Sequence, residues 1–298
     1  MAARADLPST AIPPSAPWSL TPKKVRRVLG GAIWHLGMIA VCLIVLIPII
    51  MVVLGSFKTL NEFFAKPYSF PESYDFFNYR KAWSEANIQT SLRNSILVTG
   101  LSVLVSTVLA CLAAYGLARF RFRGRMGIRL LFIGGLVVPV QLIILPIFVI
   151  LKDLGILDDV RSLIAVYSVF AIPLGVLVLS GFFGLLPKAL EDAARIDGAS
   201  HLEIFWRIML PLSRPALAAV VILNGVWIWN DFFLGFILIN NPDAETMPVG
   251  IMSFRGTYST EWSLIFASVT ISALLVVIAY LLLSRQFIAG LTAGSVKG

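Results

Sequence analysis

Residues 224–231 contain a stripe of polar and aromatic side chains that could bind a solute rich in hydroxyl groups. The stripe consists of Asn224, Trp227, Asn230 and Asp231, and its spacings of three and four place it on one face of a helix. Asparagine and aspartate exchange hydrogen bonds with hydroxyl groups, and a tryptophan ring can stack on a sugar ring. An ionisable residue in an apolar span usually faces a bundle interior or a cavity. The stripe is therefore a candidate substrate pathway; the alternative is an interfacial tryptophan beside a helix-packing network.

Catalytic chemistry is not indicated elsewhere in the sequence. The phosphate-binding pattern G-x-x-x-x-G-K-[ST] does not occur. The two histidines, His35 and His201, have no metal-ligating residue at the usual spacing and no serine or aspartate partner typical of a catalytic site. Cys42 and Cys111 lie inside apolar blocks, where cysteine behaves as a small hydrophobic residue. We predict no catalytic residue, no metal site and no cofactor bound by this chain.

The elements that position the stripe are predicted to be membrane-spanning helices. The 298 residues are 58% hydrophobic and 13% charged, whereas soluble domains carry about a quarter charged residues. Mean hydropathy is +0.88. Because the apolar residues form long blocks, an all-α polytopic membrane bundle is favoured over one or two soluble domains. Six blocks are long enough to cross a bilayer as helices: 32–55, 93–118, 128–150, 162–185, 215–239 and 263–284.

Four prolines lie in the interior of these blocks: Pro48, Pro139, Pro146 and Pro173. Each removes a backbone donor, so each is expected to kink or interrupt its helix. Such breaks persist at membrane depth where protein or a water-filled cavity satisfies the freed carbonyl groups.

The segments that flank the bundle are predicted to be tails. Residues 1–30 contain no span and end in a basic group of lysines and arginines. A secretory signal is the alternative, but the apolar block that follows exceeds about 20 residues and lacks a small-residue cleavage site. We predict a flexible cytoplasmic tail over 1–30, a membrane domain over 31–284 and a cytoplasmic C-terminal tail over 285–298.

The distribution of basic residues predicts the orientation of the spans. With the N-terminus inside, the inner segments hold 16 of the 24 lysines and arginines, although the outer segments have a similar total length. The densest inner group is Arg119, Arg121, Arg123, Arg125 and Arg129. Its position between two spans favours contact with lipid phosphates over a nucleic-acid patch. Both termini are therefore predicted to be cytoplasmic, and nucleic acid is not an expected partner.

The inner segment 187–211 is predicted to form two helices joined by a glycine. Pro187 suits the first turn of a helix, and Gly198 supplies the left-handed residue that ends one. Ser200 and Glu203 then match a capping box that opens a second helix, which Pro211 is expected to stop. The apolar face predicted for this second helix is Leu202, Phe205, Trp206 and Met209. The hairpin could pack under the bundle or dock into a groove on a cytoplasmic partner.

The residues of the hairpin also carry a family resemblance. They fit the pattern E-x-A-A-x-x-D-G-A, followed by a spaced Phe, Ile, Leu and Pro: Glu191, Ala193, Ala194, Asp197, Gly198, Ala199, Phe205, Ile208, Leu210 and Pro211. This pattern resembles the EAA motif of permease subunits of bacterial ATP-binding-cassette (ABC) importers. The second position departs slightly, since Asp192 stands where alanine is usual.

Further segments resemble maltose-type carbohydrate permeases, particularly the smaller six-span partner. They are the C-terminal segment 285–298, the run 229–232 and the pair Asn94–Ser95. The resemblance implies the type I ABC importer permease fold, with six transmembrane helices in a bacterial plasma membrane. It implies four kinds of partner: a second permease subunit, an ATPase dimer that binds ATP and Mg²⁺, an extracellular solute-binding protein and a sugar.

The resemblance assigns the hairpin to coupling with the ATPase. The residues expected to take part are Glu191, Ala193, Ala194, Asp197, Gly198, Ala199, Leu210 and Pro211. We expect Glu191 to engage basic or donor groups on the ATPase, the two alanines to permit close approach and Gly198 to set the bend. The C-terminal tail is expected to reach toward the ATPase dimer.

Three alternatives stay open from the sequence. The solute could be another compound such as glycerol-3-phosphate, since relatives of this general type import several classes. An ion-coupled secondary transporter would ordinarily carry several ionisable groups at mid-membrane depth, whereas Asp231 is the one acidic residue within a predicted span. A membrane enzyme would need a nucleophile, a metal site or paired carboxylates, and the sequence shows no such constellation. The identity of the sugar does not follow from these residues.

Overall fold

A computed structural model describes residues 22–85, 87–256 and 260–295, with side chains described for 31, 33–84, 87–256 and 260–282. These residues are mainly helical, and the only extended pairing among them is an isolated bridge between Arg255 and Thr260. The predicted all-α class is confirmed for this part of the chain. The helices are α1 Pro22–Gly55, α2 Leu60–Ala65, α3 Phe77–Glu85, α4 Ile88–Arg119, α5 Arg125–Val137, α6 Ile144–Asp153, α7 Val160–Leu185, α8 Ala189–Ile196, α9 His201–Ile204, α10 Leu210–Leu212, α11 Arg214–Asn230, α12 Phe233–Leu238, α13 Met247–Gly250 and α14 Trp262–Ser295.

Four of the described helical segments are long and apolar enough to cross a membrane. They are Ile33–Gly55, Ile88–Arg119, Val160–Leu185 and Trp262–Leu282. A fifth is present if His201–Leu212 and Arg214–Asn230, which meet at an angle of 74°, count as one broken span. The described residues therefore contain four or five such spans, against six predicted from the sequence.

The difference arises at two predicted spans, the third, 128–150, and the fifth, 215–239. In the fifth, α11 ends at Asn230 and the shorter α12 covers Phe233–Leu238. In the third, the chain forms two shorter helices, α5 and α6, separated by Pro139 and a short 3-10 turn over Val140–Leu142. Proline has no backbone N–H to donate, which explains the end of α5 just before it. By contrast, Pro48 and Pro173 lie within continuous helices, and Pro146 lies in the first turn of α6.

The chain divides into two compact units, Met1–Met51 and Val52–Gly298. The described part of the first unit is helical from residue 22 to residue 51. Helix α1 thus begins ten residues before the predicted span, and within it His35 Nδ1 lies 2.6 Å from the carbonyl oxygen of Gly31. Residues 1–21 of the predicted N-terminal tail lie outside the described residues.

The second unit has its core between α4 and α7. These helices approach closely at Gly175, where a Cβ atom would lie only 2.7 Å from the Cβ of Ala110. Helix α7 begins at a side-chain cap, since Asp159 accepts a hydrogen bond from the backbone N–H of Arg161. The guanidinium and backbone N–H of Arg161 hold the pKa of Asp159 below its usual value. This cap fixes the start of the helix against which α4 packs.

The predicted C-terminal tail is helical in its backbone. Helix α14 continues past the predicted end of the last span, 284, to Ser295. The side chains from residue 283 onward, and residues 296–298 altogether, lie outside the described part. The expected reach of this tail toward a partner stays a prediction.

Candidate functional site

The first arm of the hairpin is helix α8, and a glycine ends it. Gly198 has φ +83°, which is the left-handed region that favours glycine. The cap residue Asp197 donates its backbone N–H to the carbonyl groups of Ala193 and Arg195. Nothing lies within 4 Å of the position that a Gly198 Cβ would take, so backbone conformation, not crowding, requires glycine there. The predicted helix–glycine–helix arrangement is confirmed.

The second arm begins with the predicted capping box. The Ser200 hydroxyl accepts a hydrogen bond from the backbone N–H of Glu203, and the Glu203 carboxylate accepts one from the backbone N–H of Ser200. The arm then widens into a π-helical turn over Phe205–Met209, in which Leu210 N–H donates to the carbonyl of Phe205. Pro211 lies inside the following turn, and the bend comes at Ser213. The predicted stop at Pro211 is therefore displaced by two residues.

The predicted apolar face of the second arm divides between the core and the surface. Phe205 and Met209 are buried, whereas Leu202 and Trp206 are 63% and 52% exposed. Ile204, which was not part of the predicted face, is also buried. The buried side chains join a core with α4 and α7, where the ring centroids of Phe205 and Tyr115 are 5.1 Å apart.

The exposed apolar residues of the hairpin form what we call the hairpin apolar surface. It consists of Leu190, Ile196, Leu202 and Trp206, of which Ile196 is 86% exposed. Apolar side chains held away from the core in this way mark candidate contact surfaces for a partner or a membrane.

A buried ion pair joins the hairpin to the end of α4. Arg119 Nε lies 2.6 Å from Glu191 Oε1, and the two side chains are only 4% and 5% exposed. Arg119 also donates from Nη2 to the carbonyl oxygen of Leu186 at 2.8 Å, which fixes the segment that leads into the hairpin. Arg195 lies at 3.7 Å on the other carboxylate oxygen. The strong ionic partner of Glu191 is thus within its own chain.

This geometry gives Glu191 an internal role that the sequence did not predict. The ion pair with Arg119 sets the position of α8 relative to α4. Direct contact between Glu191 and basic groups of an ATPase stays a prediction. Sequence reasoning placed Arg119 in a lipid-facing basic group and missed its pairing across 72 positions of sequence.

The other motif residues divide between the core and the surface. Ala194 is buried, and Ala199 and Leu210 pack against the same core. Pro211 is half-buried. The exposed members are Ala193, Asp197 and Gly198, which lie on the same arm as Ile196 of the hairpin apolar surface.

The polar stripe is not gathered into one binding surface. Asn224 is buried and donates from Nδ2 to the carbonyl oxygen of Ala171 at 3.2 Å, so it joins α11 to α7. Asn230 donates to the carbonyl of Val226 in its own helix. Trp227 is partly exposed and lies edge-on to the ring of Tyr167, with centroids 5.8 Å apart.

Asp231 ends α11 and caps the next helix. Its Oδ1 accepts hydrogen bonds from the hydroxyl of Tyr167 at 2.8 Å and from the backbone N–H of Leu234 at 2.9 Å. Asn224 and Asp231 thus have structural partners, as the helix-packing alternative predicts. Tyr167 is a buried residue that sequence reasoning missed, because a single tyrosine in an apolar block gives no signal of its partner.

Replacing Tyr167 by phenylalanine is expected to destabilise the chain by about 1 kcal/mol, because it removes the hydrogen bond from a buried tyrosine to the half-buried carboxylate of Asp231. Thermal unfolding of the full chain in detergent measures the change. Tyr115→Phe is the matched control, since the buried Tyr115 hydroxyl has no hydrogen-bond partner among the described residues. Equal stability of both variants would mean that the contact with Asp231 contributes nothing.

The pair Asn94–Ser95 anchors the segment between α12 and α14. Asn94 Nδ2 donates to the carbonyl groups of Asp243 and Glu245 at 2.8 and 3.0 Å. Ser95 Oγ accepts a hydrogen bond from the backbone N–H of Met247 at 2.7 Å. These contacts hold the connecting segment against the start of α4.

Comparison with known proteins identifies the chain. Residues 106–289, which include the hairpin and the stripe, match the family described as the inner membrane component of binding-protein-dependent transport systems. The chain belongs to this family. It is therefore a transport component of a membrane and not an enzyme, as predicted, and its several apolar helices agree with a multi-pass inner-membrane protein.

Relatives of this inner membrane component align over most of its length. The diacetylchitobiose uptake permease NgcG of Streptomyces coelicolor is 34% identical, over 90% of this chain and 89% of the relative. A probable permease for starch degradation products, AmyC of Thermoanaerobacterium thermosulfurigenes, is 32% identical over 84% of this chain and 91% of the relative. One solved chain, from a bacterial ABC transporter that imports the polysaccharide alginate, has the same fold, with a TM-score of 0.76 at 23% identity over 90% of this chain and 98% of its own.

Proposed function

We propose that this chain is the permease subunit of an ATP-driven carbohydrate importer, forms half of the translocation pathway and is driven by a separate ATPase. Its family supports the transport role. The relatives' names support the solute class, since they cite diacetylchitobiose, starch degradation products and melibiose, raffinose or stachyose. These solutes differ in size and linkage but are all carbohydrates, so we propose the class and no single sugar.

The observation that carries the coupling role is the hairpin apolar surface. Its side chains project from two short helices that a buried core and an ion pair hold rigid against α4 and α7. Exposed apolar side chains on helices suit insertion into a groove on a partner. We assign that partner as the ATPase dimer, which binds the ATP and Mg²⁺.

Transmission from the hairpin to the spans follows from its internal contacts. Arg119 connects the end of α4 to Glu191 in α8 and to the backbone at Leu186. The second arm adds Phe205 and Met209 to the same core. A displacement of the hairpin by the ATPase would then move the ends of α4 and α7 with it, as a rigid-body change between two states requires.

For the membrane topology we propose six spans with both termini cytoplasmic. Helices α5 and α6 have 13 and 10 residues, about 20 and 15 Å at a rise of 1.5 Å per residue. End to end they would extend about 35 Å, which exceeds the hydrocarbon core of about 30 Å, so they are long enough to form one broken span. The excess of basic residues on the hairpin side supports its cytoplasmic location in a bacterial plasma membrane.

The proposed assembly includes a second permease subunit and an extracellular solute-binding protein. A solved chain of a bacterial alginate ABC transporter has a similar fold, with a TM-score of 0.62 to this chain at 16% identity. That transporter is in complex with a periplasmic protein that binds an alginate pentasaccharide. In this chain we propose that the segment 56–92, which follows α1, forms the surface that contacts the solute-binding protein. The buried Lys58 Nζ donates to the carbonyl groups of Lys66 and Pro67 at 2.7 and 3.1 Å and so closes the loop.

For the substrate pathway we propose Trp227 and Asn230 as the contacting members of the stripe. Both are exposed, whereas Asn224 and Asp231 are occupied in joining α11 to α7. Asn224 and Asp231 would then orient the helix that presents the other two side chains.

Replacing Trp206 and Leu202 by aspartate is expected to reduce uptake about tenfold or more, because charged groups at two central positions oppose apolar docking. Uptake of labelled sugar and co-isolation of the ATPase are the two measurements. Trp83→Asp is the matched control, since Trp83 is a partly exposed tryptophan in α3, which precedes the start of α4, whereas the hairpin contacts the end of α4. Normal uptake and co-isolation in the double variant would contradict the docking role, and ion-driven uptake by the chain alone would contradict the importer.

A further inference from the structure

A small cavity lies between the ends of α4, α5 and α7 on the hairpin side. Its volume is about 200 Å³, and it is open to the surface. Helix α4 contributes Leu117, two residues before the Arg119 that contacts the hairpin. Helices α5 and α7 contribute Arg125, Arg129, Ser180, Gly181 and Gly184.

The cavity carries positive charge that no described residue neutralises. Arg125 and Arg129 are one helical turn apart at the start of α5, and neither forms an ion pair with any described carboxylate. The exposed N–H groups of the first turn of α5 add a partial positive charge at the same end. Because no acidic residue lines the cavity, its contents are expected to be anionic.

Two glycines on α7, Gly181 and Gly184, leave the space that forms the cavity. A Cβ added at Gly181 or at Gly184 would meet no atom within 4 Å. These two glycines therefore leave space unfilled and are not required by close helix packing. Ser180 lines the same space, and its hydroxyl donates to the carbonyl of Leu177. Its oxygen still has lone pairs able to accept a hydrogen bond from a bound hydroxyl group.

The neighbouring surface of α5 is apolar. Ile133 and Leu136 lie about one and two turns beyond Arg129 on the same face of α5, and both are exposed. A ligand bound here by its charged end would have apolar surface beside it. This combination matches a lipid better than a free anion, which gains nothing from apolar side chains.

We propose that this cavity binds the phosphodiester headgroup of an anionic phospholipid. The two arginines pair with the phosphate, the space beside Gly181 and Gly184 accepts a glycerol headgroup, and the acyl chains lie along Ile133 and Leu136 of α5. Basic pockets between membrane helices bind anionic headgroups by the same chemistry. The assignment of this lipid to the cytoplasmic leaflet depends on the orientation proposed above. The binding of the lipid does not depend on that orientation.

Native mass spectrometry of the full-length chain in detergent, titrated with phosphatidylglycerol or phosphatidylcholine, tests the site. Phosphatidylglycerol is expected to bind in preference, and Arg125→Gln with Arg129→Gln to lower its binding about tenfold or more. Gly181→Leu is expected to lower it as well by filling the cavity, without removing charge. Arg123→Gln is the matched control, because Arg123 is an exposed arginine of the same loop that does not line the cavity.

Four outcomes would overturn the proposal. Equal binding of the two lipids, or unchanged binding in the arginine double variant, would remove the site. A loss in Arg123→Gln as large as in the double variant would indicate diffuse attraction to the basic group. Displacement of phosphatidylglycerol by millimolar inorganic phosphate would point to a free anion as the ligand. Since lipid binding is measured on the isolated chain, failure of ATPase coupling would leave these results interpretable.

Discussion

Glu191→Gln is expected to lower the free energy of unfolding by about 3–5 kcal/mol, because it leaves the buried charge of Arg119 without a counter-charge. The two groups lie 2.6 Å apart and are almost fully removed from solvent. The bond from Arg119 to the Leu186 carbonyl would remain, but a carbonyl does not neutralise a guanidinium. Thermal unfolding in detergent measures the stability, and sugar uptake in cells measures the loss of coupling.

Asp192→Asn is the matched control for this prediction. Asp192 adjoins Glu191, but it is exposed and its nearest cation, Arg195, is 3.8 Å away. Exposed pairs of this kind contribute about 0–1 kcal/mol, so the variant should behave as the unmodified chain. A second comparison is Arg119→Met with Glu191→Leu, which removes both charges and should recover much of the stability. If Glu191→Gln were as stable as Asp192→Asn, the pair would have no role in holding the hairpin.

Gly175→Val is expected to destabilise the chain by about 3 kcal/mol through overpacking between α4 and α7. A Cβ at this position would lie 2.7 Å from the Cβ of Ala110 and 3.4 Å from Cγ1 of Val220, so the helices would have to separate. These helices form the core of the second unit, and their separation should also reduce uptake. Thermal unfolding and uptake provide the measurements.

Two further variants isolate the contact at Gly175. Gly175→Ala should cost less than valine, and Ala110→Gly in the same chain should restore stability by vacating the contact. Gly116→Ala is the control on α4, since a Cβ there meets no atom within 4 Å. It should be neutral or slightly stabilising, because alanine is favoured over glycine in helices by about 1 kcal/mol. Failure of the Ala110→Gly rescue would show that the helices do not meet as described.

The sequence predicted the hairpin well because its determinants are local. Gly198 ends one helix by its own backbone conformation, and Ser200 and Glu203 cap the next across three residues. The partner of Glu191 was not predictable in the same way. Arg119 is 72 positions away and belongs to a run of arginines whose other members give no sign that one is buried.

The spans show a similar division. Composition located α4, α7 and α14, because about 20 consecutive apolar residues suffice to identify a crossing helix. It did not predict that 128–150 would form two helices, since Pro139 ended one helix whereas Pro48 and Pro173 were accommodated within theirs. Tertiary packing around each proline decides between these outcomes.

The stripe at 224–231 shows a limit of periodicity. The spacing correctly placed its residues on one helix, but it could not show that Asn224 and Asp231 were already bonded to α7. Those bonds depend on Ala171 and Tyr167, which belong to a different span. The face of a helix can be read from its own sequence, whereas the element that the face contacts cannot.

Because of the π-helical turn at Phe205–Met209, the direction in which the hairpin apolar surface faces depends on the number of residues in this turn. This turn holds one residue more than an α-helical turn would, and Trp206 lies within it. Removing one residue there would restore regular winding and rotate everything on its far side by about 100°. Relatives that dock in the same way are therefore constrained in the length of this segment as well as in its apolar composition.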